Sequence, residues 1–600
     1  MFKRMIMFNI SGPSGRRYKD VDCVHDMGTP LYEKYGAQLQ AEVSYYDQPK
    51  YAKYTIYFGV SLIFLAMLKH LWYRIHDRLK ISSNSSNCFS AFVDVTTSYC
   101  RFLGYKQVPP ILCTIFGLPA NFGSLLFMMA STLYLGLYCF VPHFWYRGCG
   151  GFGSPPLAIR AGLMATALTP FIYVLAGKSN AITLLTGISY EKLNSAHQFL
   201  GLASLVLSIV HVVPYIYQGL AEYGAASMRV QMTTAFYYMS GIPPLIFLGL
   251  LCLLSNKWIR RQCYEGFVSF HWLLGIAYFA TLVWHINWGL NAQNYMWGAL
   301  AFWMSQLGYR ALVKTAFRPN ALFLRPRIAY LTRSGPEAFL VEIPNSKVSC
   351  KPGQHCYLRF YGSRFLDNHP FSVATIPDEE TPDMKFLVIP KKGLTRKLHK
   401  ELVDNVSTRK KVYIDGPYGG SVRDETSFEK VVLVSTGSGI SAVLPFLIKL
   451  ANHVSSCRAN GVKLITQKVH FIWIIRYEHD LSWFEQEIFE SLRKAEDIIE
   501  VKIYVCRKES DTKSISSKQE SDVVRETKQD VIYMRPDIKS VINAATLLLG
   551  KRTMIVSSGS DSMKRTVSRM ASSLQARIFN GDVNNQGIEE VYLHTESFGW

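Results

Sequence analysis

Two apolar stretches of the sequence each carry a pair of histidines at the same spacing. The first, SAHQFLGLASLVLSIVHVVPY, holds His197 and His211, and the second, SFHWLLGIAYFATLVWHINW, holds His271 and His285, so both pairs are fourteen residues apart. On an α-helix fourteen residues advance about 21 Å and return to nearly the same face. Ionisable side chains in apolar segments are costly and usually functional, and neutral imidazole is a common axial ligand of haem iron. The spacing therefore predicts two stacked haem sites rather than four structural histidines.

The elements that must position these histidines are membrane-spanning helices. The chain has 600 residues, of which 49% are hydrophobic and 13% aromatic, and the apolar residues are concentrated between about residues 51 and 316. A helix of about twenty apolar residues crosses a bilayer. Seven segments meet that length, at about 54–72, 119–141, 157–177, 195–217, 235–255, 267–288 and 294–314.

Basic residues set the orientation of the spans. The loop after the sixth segment, NWGLNAQN, has no charge, whereas the exits of the first, fifth and seventh segments are basic. The positive-inside rule places the basic exits in the cytoplasm and the uncharged loop outside. The basic exits contain Lys69, Arg74, Arg78 and Lys80; Lys257, Arg260 and Arg261; and Arg310, Lys314 and Arg318. They outweigh Arg16, Arg17 and Lys19, so the N-terminus is expected outside and the C-terminal half inside.

This orientation pairs the histidines. The fourth and sixth segments run parallel, so His197 and His271 are expected at the cytoplasmic depth and His211 and His285 at the outer depth. Each pair can clamp one haem between two helices. With no open coordination position, such haems pass electrons rather than bind oxygen.

Charge and cysteine content exclude other classes. The net charge of +21 has neither a basic helix nor an aromatic platform beside it, so nucleic acid is not an expected partner. The twelve cysteines form no CxxC, which indicates neither a zinc site nor a disulfide framework, and most are expected to fill space. The N-terminus lacks the apolar stretch of a signal peptide, so membrane insertion is expected to start from the first span.

From about residue 320 the pattern changes to short strands: LFLRPRIAYL, AFLVEI, HCYLRFYG, KFLVIPKKG and KKVYIDG. Closely spaced short strands predict a small antiparallel β-barrel. Its HPFS, KKGLT and GPYGG segments supply hydroxyls, basic side chains, backbone amides and an aromatic ring, which suit a flavin dinucleotide. The candidate FAD ligands are His369, Pro370, Phe371, Ser372, Lys392, Gly393, Thr395, Gly416 and Gly419.

The following segment predicts an α/β nucleotide-binding domain. An apolar strand leads into Thr436-Gly437-Ser438-Gly439-Ile440-Ser441 and an amphipathic helix, where glycines let the backbone approach a phosphate at a helix N-terminus. The next strand ends in Arg476 rather than an acid, which favours the 2′-phosphate of NADPH. Residues 508–530 are expected to be a disordered insertion. Ser558 and Gly559 end a last apolar strand, and the terminal Trp600 could stack on a flavin.

The assembled motifs resemble the fungal ferric/cupric-chelate reductases, within the NADPH-oxidase superfamily. The resemblance rests on the two histidine pairs, on HPFS (369–372), GPYGG (416–420) and GSGIS (437–441), and on the ending SFGW (597–600). The stretch YCFVPHFWYRGCGGFGSPPL (138–157) is similar to the shorter branch, which is linked to copper as well as iron. The resemblance implies that HPFS contacts FAD, that Gly437, Ser438, Gly439 and Ile440 bind NADPH, and that Trp600 covers the flavin until nicotinamide displaces it.

This chain departs from the family pattern in two respects. Many relatives have a signal peptide and a longer outer head. Relatives often carry Cys-Gly near the nicotinamide, where this chain has Ser558-Gly559, so a thiol is not expected to align the hydride.

The sequence predicts four parts: an extracytoplasmic head (1–50), a seven-helix transmembrane domain with two b-type haems (51–316), an FAD-binding barrel (317–425) and an NADPH-binding α/β domain (426–600). The expected function is a plasma-membrane reductase of extracellular Fe(III) and Cu(II) chelates that supports metal uptake; a vacuolar or other internal membrane is the alternative site. Membrane lipid surrounds it, and metal permeases are partners by analogy only. A superoxide-generating NADPH oxidase would share every motif, and a non-enzymatic transporter or receptor is the remote alternative.

Overall fold

Helices dominate the first half of the chain in the computed structural model. The model describes residues 16–82, 88–142, 144–314, 326–346, 348–362, 369–377, 383–391, 393–404, 406–507, 529–547, 549–580 and 588–596. The first elements are the short strands β1 (Arg17–Tyr18) and β2 (Val21–Asp22) and helix α1 (Pro30–Glu42). Eleven further helices follow: α2 (Pro49–Ser82), α3 (Cys88–Tyr105), α4 (Pro110–Phe116), α5 (Phe122–Phe140), α6 (Pro156–Ala176), α7 (Ala181–Thr186), α8 (Tyr190–Thr234), α9 (Phe236–Leu254), α10 (Lys257–Gln262), α11 (Tyr264–Ile286) and α12 (Gln293–Tyr309).

All seven predicted spans correspond to helices. Six of them, α2, α5, α6, α8, α9 and α11, are long and apolar enough to cross a membrane, and α12 covers most of the seventh predicted segment with 17 residues. Helix α8 runs past the predicted end of the fourth span, with a break in helical geometry at Gly224 (φ 76°). The prediction of a multi-pass membrane protein is confirmed. Gly437–Ala459 is also apolar enough, but it belongs to the α/β domain, where a sheet covers it.

The chain divides into two compact units. One consists of Met1–Leu68 and Leu126–Gly308, and the other of Lys69–Leu125 and Tyr309–Trp600. In the first unit α6 is the central helix. Of its most apolar 18-residue stretch 72% is buried, against 17% or less for the corresponding stretches of the other long apolar helices of that unit. Its small residues Ala158, Ala161 and Ala167 are fully buried and let α8 pack closely. Helices α9 and α11 pack against each other beside them.

A disulfide joins the head of the first unit to the loop between α5 and α6. Cys23 and Cys149 are bonded across 126 residues of sequence, a disulfide that the cysteine spacing did not indicate. Sequence could not show this pair, because neither cysteine has a neighbour at a diagnostic spacing. Nine further cysteines, all with described side chains, are free thiols.

Hydrogen bonds hold the same loop to the end of α8. Both carboxylate oxygens of Glu222 accept from the backbone N–H of Gly150, at 2.9 and 2.8 Å. The guanidinium of Arg147 donates to the carbonyls of Leu39 and Val43 at the end of α1, at 2.6 Å each. The head, the α5–α6 loop and the end of α8 thus lie together, in agreement with the predicted orientation, which puts all three outside.

The predicted barrel is present in the second unit. Its strands are β3 (Arg327–Arg333), β4 (Phe339–Ile343), β5 (Gln354–Phe360), β6 (His369–Ser372), β7 (Met384–Val388) and β8 (Ser407–Gly419), with helix α13 (Leu394–Asp404) before β8. They form one antiparallel sheet in the order β6-β5-β8-β3-β4-β7. The backbone N–H of Ala374, just after β6, donates to the carbonyl of Lys385 in β7 at 2.9 Å, which nearly closes the barrel.

A six-stranded parallel sheet follows. Its elements in chain order are β9 (Lys430–Thr436), α14 (Ile440–Ala459), β10 (Lys468–Ile475), α15 (Glu485–Lys494), β11 (Ile499–Val505), β12 (Gln529–Ile532), α16 (Ile538–Ala545), β13 (Arg552–Ser558), α17 (Asp561–Phe579) and β14 (Glu590–Glu596). The strand order is β12-β11-β10-β9-β13-β14. Helices α14 and α15 cover one face of the sheet, and α16 and α17 cover the other. The predicted insertion at 508–530 lies outside the described residues except for its last two, which belong to β12.

The sequence did not predict that α3 packs on α17. Serine hydroxyls of α17 donate to the C-terminal carbonyls of α3: Ser572 to Phe102 at 2.7 Å, and Ser568 to Tyr105 at 2.9 Å. The hydroxyl of Tyr105 in turn accepts from the backbone N–H of Leu593 in β14 at 3.1 Å. The segment between the first and second spans is thereby built into the nucleotide-binding unit.

A buried cluster of charges lies beside this contact. The carboxylate of Glu590 in β14 accepts from Arg423 at 2.6 Å, from Arg101 at 2.6 Å and from Arg552 at 3.0 Å. Asp77 of α2 accepts from Arg423 at 2.7 Å and from Arg552 at 2.6 Å. All five side chains are almost completely buried. Burial would raise the pKa of Glu590, but Arg423, Arg101 and Arg552 together lower it well below its usual range.

We predict that Glu590→Gln strongly destabilises the second unit. The substitution removes one of two buried carboxylates while three arginines remain, and an uncompensated buried charge costs about 3–5 kcal/mol. The unfolding temperature of the purified protein in detergent measures the loss. The matched control is Glu500→Gln, whose partly exposed carboxylate pairs with Lys502 at 2.7 Å and should contribute about 0–1 kcal/mol.

The same cluster predicts a pH dependence. Because the folded pKa of Glu590 lies below the unfolded value, its contribution is complete above about pH 4.3 and is lost as the pH falls through the folded pKa. The wild-type unfolding temperature should therefore drop on acidification below about pH 4, and that drop should be smaller in Glu590→Gln. Equal drops in the two proteins would contradict this assignment.

Candidate functional site

The structure brings the four histidines of α8 and α11 together in two pairs. The ring centroids of His197 and His271 are 6.2 Å apart, and so are those of His211 and His285. The planes of the rings make angles of 69° and 74°. These are the pairs that the parallel orientation of the fourth and sixth spans predicts.

Every one of these imidazoles is held through Nδ1. On α8, His197 Nδ1 lies 3.0 Å from the carbonyl oxygen of Ile172, and His211 Nδ1 lies 2.7 Å from that of Ala158. Both carbonyls belong to α6, and they are fourteen residues apart, as the histidines are. The neighbouring helix thus repeats its acceptors at the depth of each histidine.

The histidines of α11 are held by two serine hydroxyls, one within α9 and one at the residue directly after it. His271 Nδ1 lies 3.2 Å from Ser255 Oγ, and His285 Nδ1 lies 3.1 Å from Ser240 Oγ. With Nδ1 occupied, Nε2 is the nitrogen left to ligate a metal at all four positions. The sequence analysis missed both serines. The sequence marks these serines by position alone. They lie toward the two ends of one apolar segment, at the same membrane depths as the two histidine pairs.

Glycines make room for the outer pair. A Cβ atom at Gly162 of α6 would lie 2.6 Å from His211 Nδ1, and one at Gly241 of α9 would lie 3.0 Å from His285 Cε1. Side chains larger than hydrogen would therefore displace these imidazoles. Neither glycine has a positive φ, so glycine is needed here for the close approach of the imidazole rings and not for an unusual backbone conformation.

The geometry fits haem. A bond of about 2.0 Å from metal to each imidazole nitrogen, plus roughly 1.1 Å from nitrogen to ring centre, separates two axial imidazole centroids by about 6.2 Å. Both pairs have this separation. Among the residues that the structure describes, no three His, Cys, Asp or Glu side chains converge on a common metal position. Each histidine pair offers two imidazole nitrogens.

The barrel places the HPFS segment on a strand. Residues His369–Ser372 form β6 and pair with β5, His369 opposite Leu358 and Ser372 opposite His355. The Ser372 hydroxyl is buried and has no hydrogen-bond partner among the described residues, which leaves it available to a ligand. Pro370 and Phe371 lie between these two on the strand.

The remaining flavin candidates lie on β8 and at the start of α13. Gly416 and Gly419 belong to β8, and a Cβ atom at Gly416 would lie 3.0 Å from Cys356 Sγ on the neighbouring strand β5. Gly393 (φ 77°) precedes α13, and Thr395 Oγ1 accepts from the backbone N–H of Lys391 at 2.9 Å. Lys392 lies outside the described residues.

The nucleotide candidates meet at the carboxyl ends of β9 and β13. A Cβ atom at Gly439 would lie 2.4 Å from the carbonyl oxygen of Ser558, and one at Gly559 would lie 2.0 Å from Thr436 Oγ1. Only glycines allow the two loops to touch. The strand order reverses between β9 and β13, and open α/β sheets bind ligands at such a point.

Three buried serine hydroxyls lie at this edge of the sheet. The hydroxyls of Ser435, Ser557 and Ser558 are buried without a hydrogen-bond partner in the described parts of the chain. A Cβ atom at Gly437 (φ 51°) would meet open space, and Ser438 and Ile440 flank the entry to α14. Unsatisfied buried hydroxyls are rare in proteins, and these three are available to a ligand.

Arg476 lies one strand away, directly after β10. Its guanidinium carbon is 5.2 Å from the ring centroid of Tyr477, and its backbone carbonyl accepts from the N–H of Arg507 at 3.0 Å. Arg507 lies two residues after the end of β11, so two exposed arginines follow the ends of neighbouring strands. Sequence analysis missed Arg507 because the adjoining polar segment hid the end of its strand.

The C-terminal strand leads toward the barrel. In β14, His594 Nε2 lies 2.7 Å from Glu596 Oε1, and a Cβ atom at Gly353, directly before β5, would lie 3.2 Å from the same oxygen. Trp600 follows four residues later and lies outside the described residues, so its contact with a flavin remains a prediction.

Comparison with known proteins identifies the parts. Residues 161–282 match the ferric reductase like transmembrane component, residues 327–422 an FAD-binding domain, and residues 428–572 the ferric reductase NAD binding domain. The chain is 34% identical to ferric/cupric reductase transmembrane component 7 of Saccharomyces cerevisiae, over 97% of this chain and 98% of that protein. It belongs to the ferric/cupric reductase family. It is therefore a transmembrane metalloreductase with FAD- and NAD(P)-binding domains, as the motifs predicted.

Other relatives share only part of their length with this chain. The probable cell surface ferric reductase kap2 of Aspergillus oryzae is 30% identical over 66% of this chain and 53% of its own. A ferredoxin NADP+ reductase from Neisseria gonorrhoeae with bound FAD and NADP covers 46% of this chain at 16% identity, with a TM-score of 0.30, which is too low to carry an argument. The near-complete match to the yeast protein agrees with the predicted shorter branch.

We predict that Gly162→Ala abolishes the outer histidine pair as a ligand set. The added methyl would lie 2.6 Å from His211 Nδ1 and displace the ring from the Ala158 carbonyl. The haem content of purified protein, measured from its reduced absorption bands, should fall to about half. The control is Gly201→Ala on α8, where a Cβ atom meets nothing within 4 Å. Full haem content in Gly162→Ala would contradict the ligation of a haem by His211 and His285.

Proposed function

We propose that this reductase moves electrons from cytoplasmic NADPH across the plasma membrane to Fe(III) and Cu(II) chelates outside. The observation that carries the proposal is the arrangement of four imidazoles in two pairs. In each pair the ring centroids are 6.2 Å apart, and each imidazole is held through Nδ1. On both helices the second histidine lies fourteen residues after the first, so the two pairs are separated by about 21 Å along the helix axis. An apolar helix bundle with two such pairs of imidazoles suits a path in which electrons pass in two steps.

In this proposal His197 and His271 hold an inner b-type haem, and His211 and His285 hold an outer one. The bound groups supply the redox chemistry, since FAD accepts a two-electron hydride and each haem carries one electron. With two imidazoles to hold each haem, the protein would leave no open coordination position for oxygen on the iron. Their Nδ1 bonds fix the ring planes, so little reorganisation accompanies each change of charge.

The second unit supplies the hydride site. Ser372 on β6 and the glycines of β8 are proposed to hold FAD, and the loops after β9 and β13 to hold NADPH. Ser558 stands where relatives often carry cysteine, so its buried hydroxyl is proposed to contact the nicotinamide. Trp600 is proposed to cover the flavin until the nicotinamide arrives.

The contacts of the outer side support the direction of transfer. Disulfides persist in oxidising compartments, and Cys23–Cys149 ties together segments that the orientation places outside. Metal chelates are therefore proposed to receive electrons beside the outer pair. Permeases that take up the reduced ions are proposed partners by family analogy alone.

The deciding experiment measures NADPH-dependent reduction of Fe(III) and Cu(II) chelates by membranes that contain the protein, with and without superoxide dismutase. Direct transfer to the metal predicts a rate that the dismutase does not change. A rate that the dismutase abolishes would mean that oxygen takes the electron first, and the protein would be a superoxide-generating oxidase.

His285→Ala is expected to stop reduction of external chelates. It removes one axial ligand of the outer haem, while NADPH oxidation with a soluble acceptor of flavin electrons should continue at the wild-type rate. Ser208→Ala is the control: Ser208 lies on α8, and its hydroxyl donates to the Ser204 carbonyl of the same helix at 2.8 Å. Unchanged reduction of external chelates in His285→Ala would contradict the electron path.

The arginines after β10 and β11 predict the cofactor preference. A 2′-phosphate between them would form charge-assisted hydrogen bonds to both guanidinium groups. Arg476→Ala and Arg507→Ala should each raise KM for NADPH by about tenfold, or about 1.4 kcal/mol, and leave KM for NADH unchanged. Steady-state kinetics with both nucleotides test this. Equal changes in the two KM values would show that these residues do not contact the 2′-phosphate.

A further inference from the structure

The four imidazoles of the spanning helices differ in the chemistry of their Nδ1 acceptors. Those of α8 face peptide carbonyls of α6, and those of α11 face serine hydroxyls within α9 and directly after it. Each pair contains one imidazole of each kind. Each proposed iron therefore has one ligand whose acceptor belongs to the backbone and one whose acceptor is a side chain.

A ligating imidazole makes its Nδ1 a donor. When Nε2 binds iron, the neutral ring carries its hydrogen on Nδ1. The partner must then accept, and a serine oxygen has two lone pairs with which to do so. At Ser255 this role is fixed, because its own hydrogen is directed to the Leu251 carbonyl at 2.5 Å.

Ser240 has a different setting. It is fully buried, and its contact with His285 at 3.1 Å is the single hydrogen bond recorded for its hydroxyl at the described positions. It lies one residue before Gly241, whose missing side chain lets the His285 ring approach α9. Pro243 and Pro244 follow, and proline has no N–H to bond the carbonyls one turn earlier. The local sequence therefore combines a hydroxyl, a gap for the ring and two backbone nitrogens without hydrogen at the His285 side of α9.

An acceptor at Nδ1 changes the electronics of the ligand. It draws the hydrogen away from the ring, raises the basicity of Nε2 and so stabilises the ferric over the ferrous iron. Removing the acceptor should raise the reduction potential of that iron. In an apolar bundle no water replaces the lost partner, so the N–H stays unsatisfied.

We propose that Ser240 and Ser255 are positioning residues that set the reduction potentials of the outer and inner haem, respectively. The inference rests on the proposed haem ligation. The two serines act on separate irons, because each contacts one histidine of one pair. Substitution of one serine should therefore shift one potential and leave the other in place.

The test is a spectroelectrochemical titration of the full-length protein in detergent. Wild type should give two midpoint potentials. Ser240→Ala should raise one of them and Ser255→Ala the other, with absorption spectra that still show bis-histidine ligation. Ser255→Thr keeps a hydroxyl at a partly buried position and should restore the wild-type value. Ser208→Ala, which removes a hydroxyl of α8 that donates to the Ser204 carbonyl, should move neither potential.

Each outcome decides the question. Shifts of the same potential in both variants, or no shift in either, would overturn the assignment. Loss of a haem in Ser255→Ala that Ser255→Thr restores would support a need for the hydroxyl, and loss in both would show that the residue acts by packing. If wild-type protein lacked two haems, the proposed function itself would fail, which the serine variants cannot mimic.

Discussion

The transmembrane unit depends on the need of buried imidazoles for hydrogen-bond acceptors. Within a bilayer core no water can satisfy a ring nitrogen, so each histidine fixes the position of a neighbouring helix. Helix α6 must present Ala158 and Ile172 to α8, and α9 must present its serines to α11. The requirement aligns two pairs of helices in depth and orients all four Nε2 atoms toward the space between α8 and α11. Ligand geometry and helix packing are thus one constraint.

The second unit solves the opposite problem, because it buries full charges. Three arginines surround Glu590 and Asp77, and aromatic rings stack against the guanidinium groups, with Arg423 4.5 Å from the Tyr73 centroid and Arg552 4.6 Å from that of Phe428. The cluster joins the end of α2, α3, the segment after the barrel and two strands of the sheet. Each ion is expensive alone, so these elements are stable mainly in each other's presence.

Sequence could predict the parts that repeat or alternate. The histidine pairs stood out because polar residues at a constant spacing are rare in apolar helices, and the barrel and sheet because short strands and glycine loops have their own patterns. The charge cluster could not be found, since Asp77 and Arg423 are 346 residues apart and neither stands out locally. Ser240 and Ser255 were missed for a related reason: serine is common in spanning helices, and only the fold shows which hydroxyls face a histidine.

The Cys23–Cys149 bond bears on how the chain is made. Its two cysteines flank the first two spans, and they come to the same side of the membrane when α2 and α5 cross it in opposite directions. Oxidation fastens the head to the loop before α6 and so ties the two ends of this hairpin beside the central helix. The bond thus records correct insertion of the first hairpin during biosynthesis, and a chain inserted the other way round would keep these thiols in a reducing compartment.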